Sequence, residues 1–170
     1  MDNYTYIDLN TFEITNSPKG YIHCDKEIAD IIATLNKKGY KTTASCAGHN
    51  EIIYDLENQI KDIHELDRIK NDSCFKIYDI VDDKIYVKCE IVGASTYITF
   101  DKDYNFEKIP KGFRYENKWL GKFIDYYNED ITVRRKDDEI ENELKNNWCI
   151  LREWANKLKY NEKEENDKYE

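Results

Sequence analysis

The sequence lacks the segments that direct a protein into or across a membrane. None of its apolar runs approaches the roughly 18 residues that a membrane-spanning helix needs. The first residues, from Met1 to Tyr4, contain neither the basic stretch nor the apolar stretch of a signal peptide. We therefore expect a cytoplasmic protein that has no membrane partner.

An excess of positive charge is also missing. The 170 residues carry a formal net charge of −9, whereas proteins that bind the phosphate backbone of nucleic acids need clustered Lys and Arg. This balance argues against direct nucleic-acid binding as the main activity. It leaves room for a local basic pocket, and it leaves the oligomeric state open.

The cysteines do not have the pattern of a disulfide framework. Their number is odd, their spacing is wide and no signal peptide precedes them, which favours free thiols in a reducing compartment. The five are Cys24, Cys46, Cys74, Cys89 and Cys149.

The sequence does contain the pattern of one α+β domain. Its length suits one domain, and its 14% aromatic content argues against global disorder. We predict a single domain over residues 1–160, with a mixed or mostly antiparallel sheet and about three helices, the longest at the C-terminus. Residues 161–170 have no apolar periodicity and are predicted to form a disordered acidic tail.

Three segments have apolar residues at helical spacing. The first covers 26–38, where Asp25 is placed as an N-cap and Gly39 as the C′ residue. A second helix is predicted within 51–70, and the longest begins at Asp137.

Alternating or β-branched runs predict strands in much of the remaining chain, and Gly93 is predicted to separate two of them. The predicted strands cover 40–46, 74–81, 84–92, 96–100, 113–116, 121–127 and 131–135, with strand or irregular structure in 1–24.

The segment from Thr42 to His49 is the one that suggests chemistry. It places hydroxyls, a thiol, a glycine and an imidazole at the end of a predicted strand, where α/β proteins often carry their sites. Gly48 permits a positive φ, and successive N–H groups of the turn can form an anion nest. Small residues chosen for packing in a tight turn explain the same pattern. The candidate ligand-binding residues here are Thr43, Ser45, Cys46, Gly48 and His49.

Cys46 and His49 also allow catalytic and metal-binding interpretations. Cys46 is a candidate nucleophile if His49 activates it, but a free cysteine often behaves as a small buried hydrophobe. A zinc site that adds His23 and Cys24 is awkward, because adjacent strand residues point to opposite faces. We therefore expect neither a metal nor a cofactor.

Arginine is scarce, so its few positions stand out as candidate anion ligands. Arg114 and the pair Arg134–Arg135 can bind a phosphate or carboxylate with two hydrogen bonds each, although the pair also suits a solvated strand end. A tyrosine-rich middle region can stack a base or pack the sheet. Its members are Tyr78, Tyr86, Tyr97, Tyr104, Tyr115, Tyr126 and Tyr127.

Residues Thr42–His49 resemble the TTSSCxGR-type loop of the wybutosine-synthesising tRNA methyltransferase family. Ala44 stands in place of a serine and His49 in place of the arginine. The resemblance implies an S-adenosylmethionine-dependent enzyme that acts on a modified guanosine in tRNA.

A second resemblance extends over more of the chain. It covers segments 35–42, 45–49, 97–100, 109–113 and 153–155, in this order. These resemble a family of small uncharacterised proteins in phages and mobile elements of low-GC Gram-positive bacteria. The resemblance implies a mobile-element context and a location in the host cytoplasm.

Three functional hypotheses follow. We favour a phage-type accessory protein, not an enzyme, that binds a nucleotide-like anionic ligand at the Thr43–His49 loop and acts in counter-defence by sequestering a signal. The second is an acidic, anti-CRISPR-like inhibitor that binds a host defence protein, consistent with the net charge of −9. The third is an S-adenosylmethionine-dependent RNA methyltransferase-like or Cys-dependent enzyme with Ser45, Cys46 and His49 in its site.

Overall fold

The computed structural model describes residues 3–16, 21–49, 56–59, 75–81, 86–128 and 133–162. These residues form an α+β fold with antiparallel strand pairing, as the sequence predicts, and their helices are α1 and α2 with one 3₁₀ turn. The strands are β1 (Tyr4–Asp8), β2 (Ile14–Thr15), β3 (Tyr21–Asp25), β4 (Thr42–Cys46), β5 (Leu56–Gln59), β6 (Phe75–Val81), β7 (Tyr86–Ile91), β8 (Gly93–Phe100), β9 (Arg114–Glu116) and β10 (Trp119–Asp125). The helical elements are the 3₁₀ turn (Lys26–Ile28), α1 (Ala29–Lys37) and α2 (Asp137–Lys157).

The chain divides into two compact units, each assembled from separate stretches of sequence. The first consists of Met1–Gly48, Ser95–Lys122 and Glu143–Glu170, and the second of His49–Ala94 and Phe123–Asn142. The first contains α1 and a three-stranded sheet of order β2-β1-β3, and β4, β9 and most of β8 belong to it. A sheet of order β5-β7-β6 belongs to the second.

The core of the first unit forms where the apolar stripes of its helices are buried. Four residues of the first predicted helix are at most 1% exposed. They pack in one cluster with residues of β8 and of the second half of α2, so the helical periodicity identified this part of the core correctly. The four are Ile28, Ile31, Ile32 and Leu35.

The C-terminus of α1 is confirmed at Gly39, which has φ +87°. Its N–H donates to the carbonyl of Asn36 at 3.1 Å, and the N–H of Tyr40 donates to that of Leu35 at 2.9 Å. This is a Schellman motif, which needs a residue in the left-handed region. The chain that follows α2 is also bonded to this end of α1, because the N–H of Asn161 donates to the carbonyl of Lys38 at 2.7 Å.

The N-terminus of the same helix differs from the prediction. The chain first makes the 3₁₀ turn at Lys26–Ile28, and the side chain of Asp25 makes no capping hydrogen bond. The carboxylate of Asp25 instead accepts a hydrogen bond from the main chain beyond β4. The predicted capping residue is therefore available to a different site.

Two further predictions differ from the structure in the second unit. Residues 56–59, predicted as helix, form β5, because their main chain pairs antiparallel with β7; the rest of 51–70 lies outside the described residues. Gly93, predicted to separate two strands, instead begins β8, and the break falls one residue earlier, at Val92. A Cβ atom at Gly93 would lie 2.3 Å from Cζ of Phe123, so the glycine permits a close approach within the sheet.

The remaining segments can be placed briefly. In the predicted strand 131–135, the described residues include an isolated bridge between Arg134 and Tyr127, and 131–132 lie outside the description. The strands predicted at 74–81 and 84–92 correspond to β6 and β7. In the part of the chain that is described, no helix has the length and apolarity to span a membrane.

Candidate functional site

The candidate site is built around the turn that follows β4. The N–H of Ala47 donates to Oδ2 of Asp25 at 2.7 Å. Its carbonyl accepts hydrogen bonds from Oγ1 of Thr96 at 2.8 Å and from Nε1 of Trp148 at 2.7 Å. Because Ala47 is fully buried, these bonds satisfy polar groups that have lost contact with water. Three side chains thus fix the main chain of the turn.

Gly48 has the role that the sequence predicts for it. Its φ is +82°, and a Cβ atom there would lie 2.8 Å from Cδ2 of Leu144 and 3.0 Å from Oγ1 of Thr96. Both the left-handed conformation and the lack of space therefore require glycine.

The turn does not form the predicted anion nest. The N–H of Ala47 is directed at the carboxylate of Asp25, and the N–H of Gly48 is directed at Sγ of Cys46, at 3.4 Å. Both donors therefore have acceptors within the chain. The groups around the turn are a carboxylate and a thiol, which suit a cation better than an anion.

Cys46 is half-buried and lies opposite Tyr97 in the pairing of β4 with β8. Burial raises the pKa of the Tyr97 phenol, and the nearby charges of Cys46 and Asp25 raise it further. The phenol, the thiol and the carboxylate are therefore electrostatic neighbours. Tyr97 keeps its proton at neutral pH and can donate a hydrogen bond.

The second cysteine–histidine pair does not contribute to this site. His23 is exposed and Cys24 is buried, so these adjacent side chains lie in different environments. Burial, with a smaller effect from the charge of Asp25, raises the pKa of the Cys24 thiol to about 11. Cys24 is therefore a protonated, structural cysteine.

His49 follows directly on Gly48 in the sequence. The ligand atoms of Asp25, Cys46 and His49 all lie within 4.8 Å of one another. Among the described residues, this is the group of His, Cys, Asp and Glu side chains with the geometry to hold a metal ion. The main-chain carbonyl of His49 also accepts a hydrogen bond from the hydroxyl of Tyr126.

One side of the β4–β8–β10–β9 sheet carries half-exposed aromatic rings, and we call it the outer face. The rings of Tyr97 and Trp119 are stacked on it, with centroids 6.4 Å apart and an interplanar angle of 24°. The indole covers Gly121, where a Cβ atom would lie 2.3 Å from Cζ2 of Trp119. The opposite face carries core residues such as Ile98 and Leu120.

The candidate binding residues of β4 divide between the two faces. Thr43 lies at an irregularity in the pairing with β8 and is exposed. Its Oγ1 lies 2.8 Å from Oγ1 of Thr99. Ser45 pairs with the buried Ile98, which places it on the core side, because directly paired residues share a face. The structure therefore separates Ser45 from Thr43.

Arg114 lies on the outer face, as its register with Gly121 shows. Its guanidinium is exposed and forms an ion pair with Glu116, which is paired with Trp119 in the same ladder. The structure therefore brings Arg114, Thr43 and Cys46 to the same face as the aromatic rings.

Arg134 and Arg135 belong to the second unit. Nη1 of Arg134 donates to Oδ1 of Asp137 at 2.6 Å, and its guanidinium lies 5.5 Å from the centre of the Tyr126 ring. Nη1 of Arg135 donates to the carbonyl of Asp125 at 3.0 Å. Both arginines therefore contribute to holding the segment that precedes α2.

Sequence reasoning missed Asp25 and Trp119 as site residues. Asp25 was hidden by its resemblance to a helix cap. Trp119 had a usable signal, because residues two apart on a strand share a face and Gly121 leaves the space that a large ring can cover. A tryptophan two residues from a strand glycine is therefore a pattern worth testing.

Comparison of the chain with protein-family models, with curated proteins and with solved structures found no significant match. The two resemblances in the sequence therefore remain expectations.

Proposed function

We propose that the protein is a binding module for a nucleotide-like anionic ligand, which it holds on the outer face. The observation that supports this most directly is the stacked pair of Tyr97 and Trp119. Half-exposed aromatic rings supply the flat apolar surface on which a nucleobase stacks, and such stacking contributes about 1–3 kcal/mol per base. The close packing of the indole over Gly121 fixes the orientation of that surface.

The polar groups around the rings match the other parts of a nucleotide. The hydroxyls of Thr43 and Thr99 lie 2.8 Å apart and can bond a ribose or a phosphate oxygen. The guanidinium of Arg114, exposed and paired only at the surface with Glu116, can exchange that partner for a phosphate, because exposed ion pairs contribute little. The ligand thus lies along the face and not in the turn.

A binding role fits the context that the sequence suggests. An aromatic surface, hydroxyls and a guanidinium are the kinds of group that contact the base, the ribose and the phosphate of a nucleotide. The mobile-element resemblance suggests a counter-defence role, in which the protein sequesters a nucleotide signal in the host cytoplasm.

Calorimetric titration with a panel of mono-, di- and cyclic nucleotides tests the proposal. We expect Trp119→Leu to raise the dissociation constant roughly 5- to 150-fold, which corresponds to about 1–3 kcal/mol of stacking. Arg114→Gln should also raise it, but only for phosphorylated ligands. Two matched controls, Tyr160→Ala and Arg152→Gln, change an exposed tyrosine and an arginine paired with Asp30, and they should leave binding unchanged.

Two results would overturn the proposal. One is the absence of heat with every nucleotide at millimolar concentration. The other is a Trp119→Leu variant that folds and binds as the parent protein does.

A further inference from the structure

We propose that Asp25, Cys46 and His49 form a binding site for a divalent transition metal of the zinc class. The three side chains offer a carboxylate oxygen, a thiol sulfur and an imidazole nitrogen, all within 4.8 Å of one another. Oxygen, sulfur and nitrogen together are the donor set that zinc accepts, whereas calcium and magnesium require oxygen donors. This inference departs from the sequence-based expectation of no metal, and it does not depend on the nucleotide proposal.

The spacing of the donor atoms is close to that of a coordinated ion. In a tetrahedral zinc site with bonds of about 2.0–2.3 Å, neighbouring ligand atoms lie about 3.3–3.8 Å apart. The three atoms here lie no more than 4.8 Å apart. Closing the site around an ion therefore requires these atoms to approach one another by at most about 1.5 Å, from 4.8 Å to about 3.3 Å.

The surroundings of the three side chains hold them in position. Asp25 is 3% exposed, and the N–H of Ala47 fixes its carboxylate through a 2.7 Å hydrogen bond. Thr96 and Trp148 donate hydrogen bonds to the carbonyl of Ala47. Partners that orient ligands in this way commonly change metal affinity by about 10- to 100-fold. The turn therefore has the supporting contacts of a metal site as well as its donors.

The charge of the group also favours a cation. A carboxylate and a thiolate at this distance would repel each other at low dielectric. A divalent ion reverses this effect, since it stabilises both anionic ligands at once. Three protein ligands leave one tetrahedral position for water or another small ligand, as in zinc sites that are not purely structural.

Titration of the reduced, metal-free protein with Co²⁺ alone tests the inference. Cobalt replaces zinc in tetrahedral sites, and a bound thiolate produces a charge-transfer absorption that identifies sulfur ligation. We expect one Co²⁺ per chain, this absorption band, and displacement of the cobalt by one equivalent of Zn²⁺.

Three variants and two controls locate the ion. Cys46→Ser should abolish the sulfur band, and His49→Gln and Asp25→Asn should weaken binding at least about 100-fold, as loss of a direct ligand exceeds loss of a supporting contact. The controls are Cys149→Ser and His23→Gln, which change an exposed cysteine and an exposed histidine. Both should bind cobalt as the parent protein does.

The inference is overturned if the parent protein shows no sulfur band at saturating Co²⁺. It is also overturned if Cys46→Ser keeps the band, whether or not Cys149→Ser loses it. Circular dichroism of each variant checks the fold. If Asp25→Asn unfolds, His49→Gln decides the question, because its side chain lies on the turn and is not among the buried core residues.

Discussion

Replacement of Gly48 by alanine should destabilise the protein strongly, and the structure supplies a matched control in Gly112. Both glycines lie in the left-handed region, with φ of +82° and +80°. They differ in the space around the missing side chain. A Cβ atom at Gly48 would meet Leu144 at 2.8 Å and Thr96 at 3.0 Å, whereas one at Gly112 would meet the flexible side chain of Lys122 at 3.4 Å.

The expected losses of stability follow from the left-handed conformation and from the space available to the added Cβ atom. The left-handed conformation costs an L-residue about 1–2 kcal/mol, and this cost applies to both variants. Overpacking of a close-packed site adds about 1–3 kcal/mol, and it applies to Gly48→Ala. We therefore expect losses of about 1–2 kcal/mol for Gly112→Ala and about 2–5 kcal/mol for Gly48→Ala.

Urea unfolding followed by circular dichroism measures both losses from the midpoint and slope. A double variant, Gly48→Ala with Leu144→Ala, adds a check on the cause, because removal of the clashing methyl groups should make its loss smaller than the sum of the two single losses. Equal losses for Gly48→Ala and Gly112→Ala would refute the reasoning, since the turn would then not be packed against Leu144 and Thr96.

Four other predictions concern the framework of the first unit. At pH 8, iodoacetamide should modify Cys24 far more slowly than the exposed Cys149, as read by peptide mass spectrometry, because burial raises the pKa of Cys24 to about 11. The folded state holds that proton longer than the unfolded state does, so the contribution of Cys24 to stability should fall as the pH rises from 9.0 towards about 11; a Cys24→Ala variant should lack this component of the pH profile. Asn36→Ala should lower the unfolding free energy by about 1–3 kcal/mol, measured by urea, because Asn36 is buried and bonds the main chain of Thr42 and its hydroxyl. Lys38→Met should lower the unfolding free energy by a similar amount, because the ammonium of Lys38 donates to three main-chain carbonyls at the end of α2. An unchanged urea midpoint would contradict this.

The parts of the fold that the sequence predicts well are those with a local cause. The stripe of α1 and the glycine at its end are confirmed, because apolar spacing and a left-handed residue determine them without reference to distant residues. The segment at 56–59 shows the opposite case. Its apolar spacing fits a helix, but pairing with β7, a distant partner, decides its conformation.

The candidate site was predictable in part for the same reason. The turn with Cys46, Gly48 and His49 is contiguous in sequence, so it could be identified as a group. Asp25 lies 21 residues before Cys46 in the numbering, and its approach depends on the main-chain bond to Ala47. The turn was expected to attract an anion because nothing in the sequence shows that a carboxylate of the chain accepts its N–H donor.

The most direct test of the proposed function is to follow the indole N–H signals of the protein by NMR while a nucleotide is titrated in. Trp148 and Trp154 act as internal controls, because their indoles are hydrogen-bonded to the carbonyls of Ala47 and Lys108, whereas Trp119 lies on the outer face. We predict that the Trp119 signal, assigned by its loss in Trp119→Phe, shifts progressively and saturably while the other two stay in place. A Trp119 signal that does not move at millimolar nucleotide, or that moves only as much as the other two, would contradict the proposal.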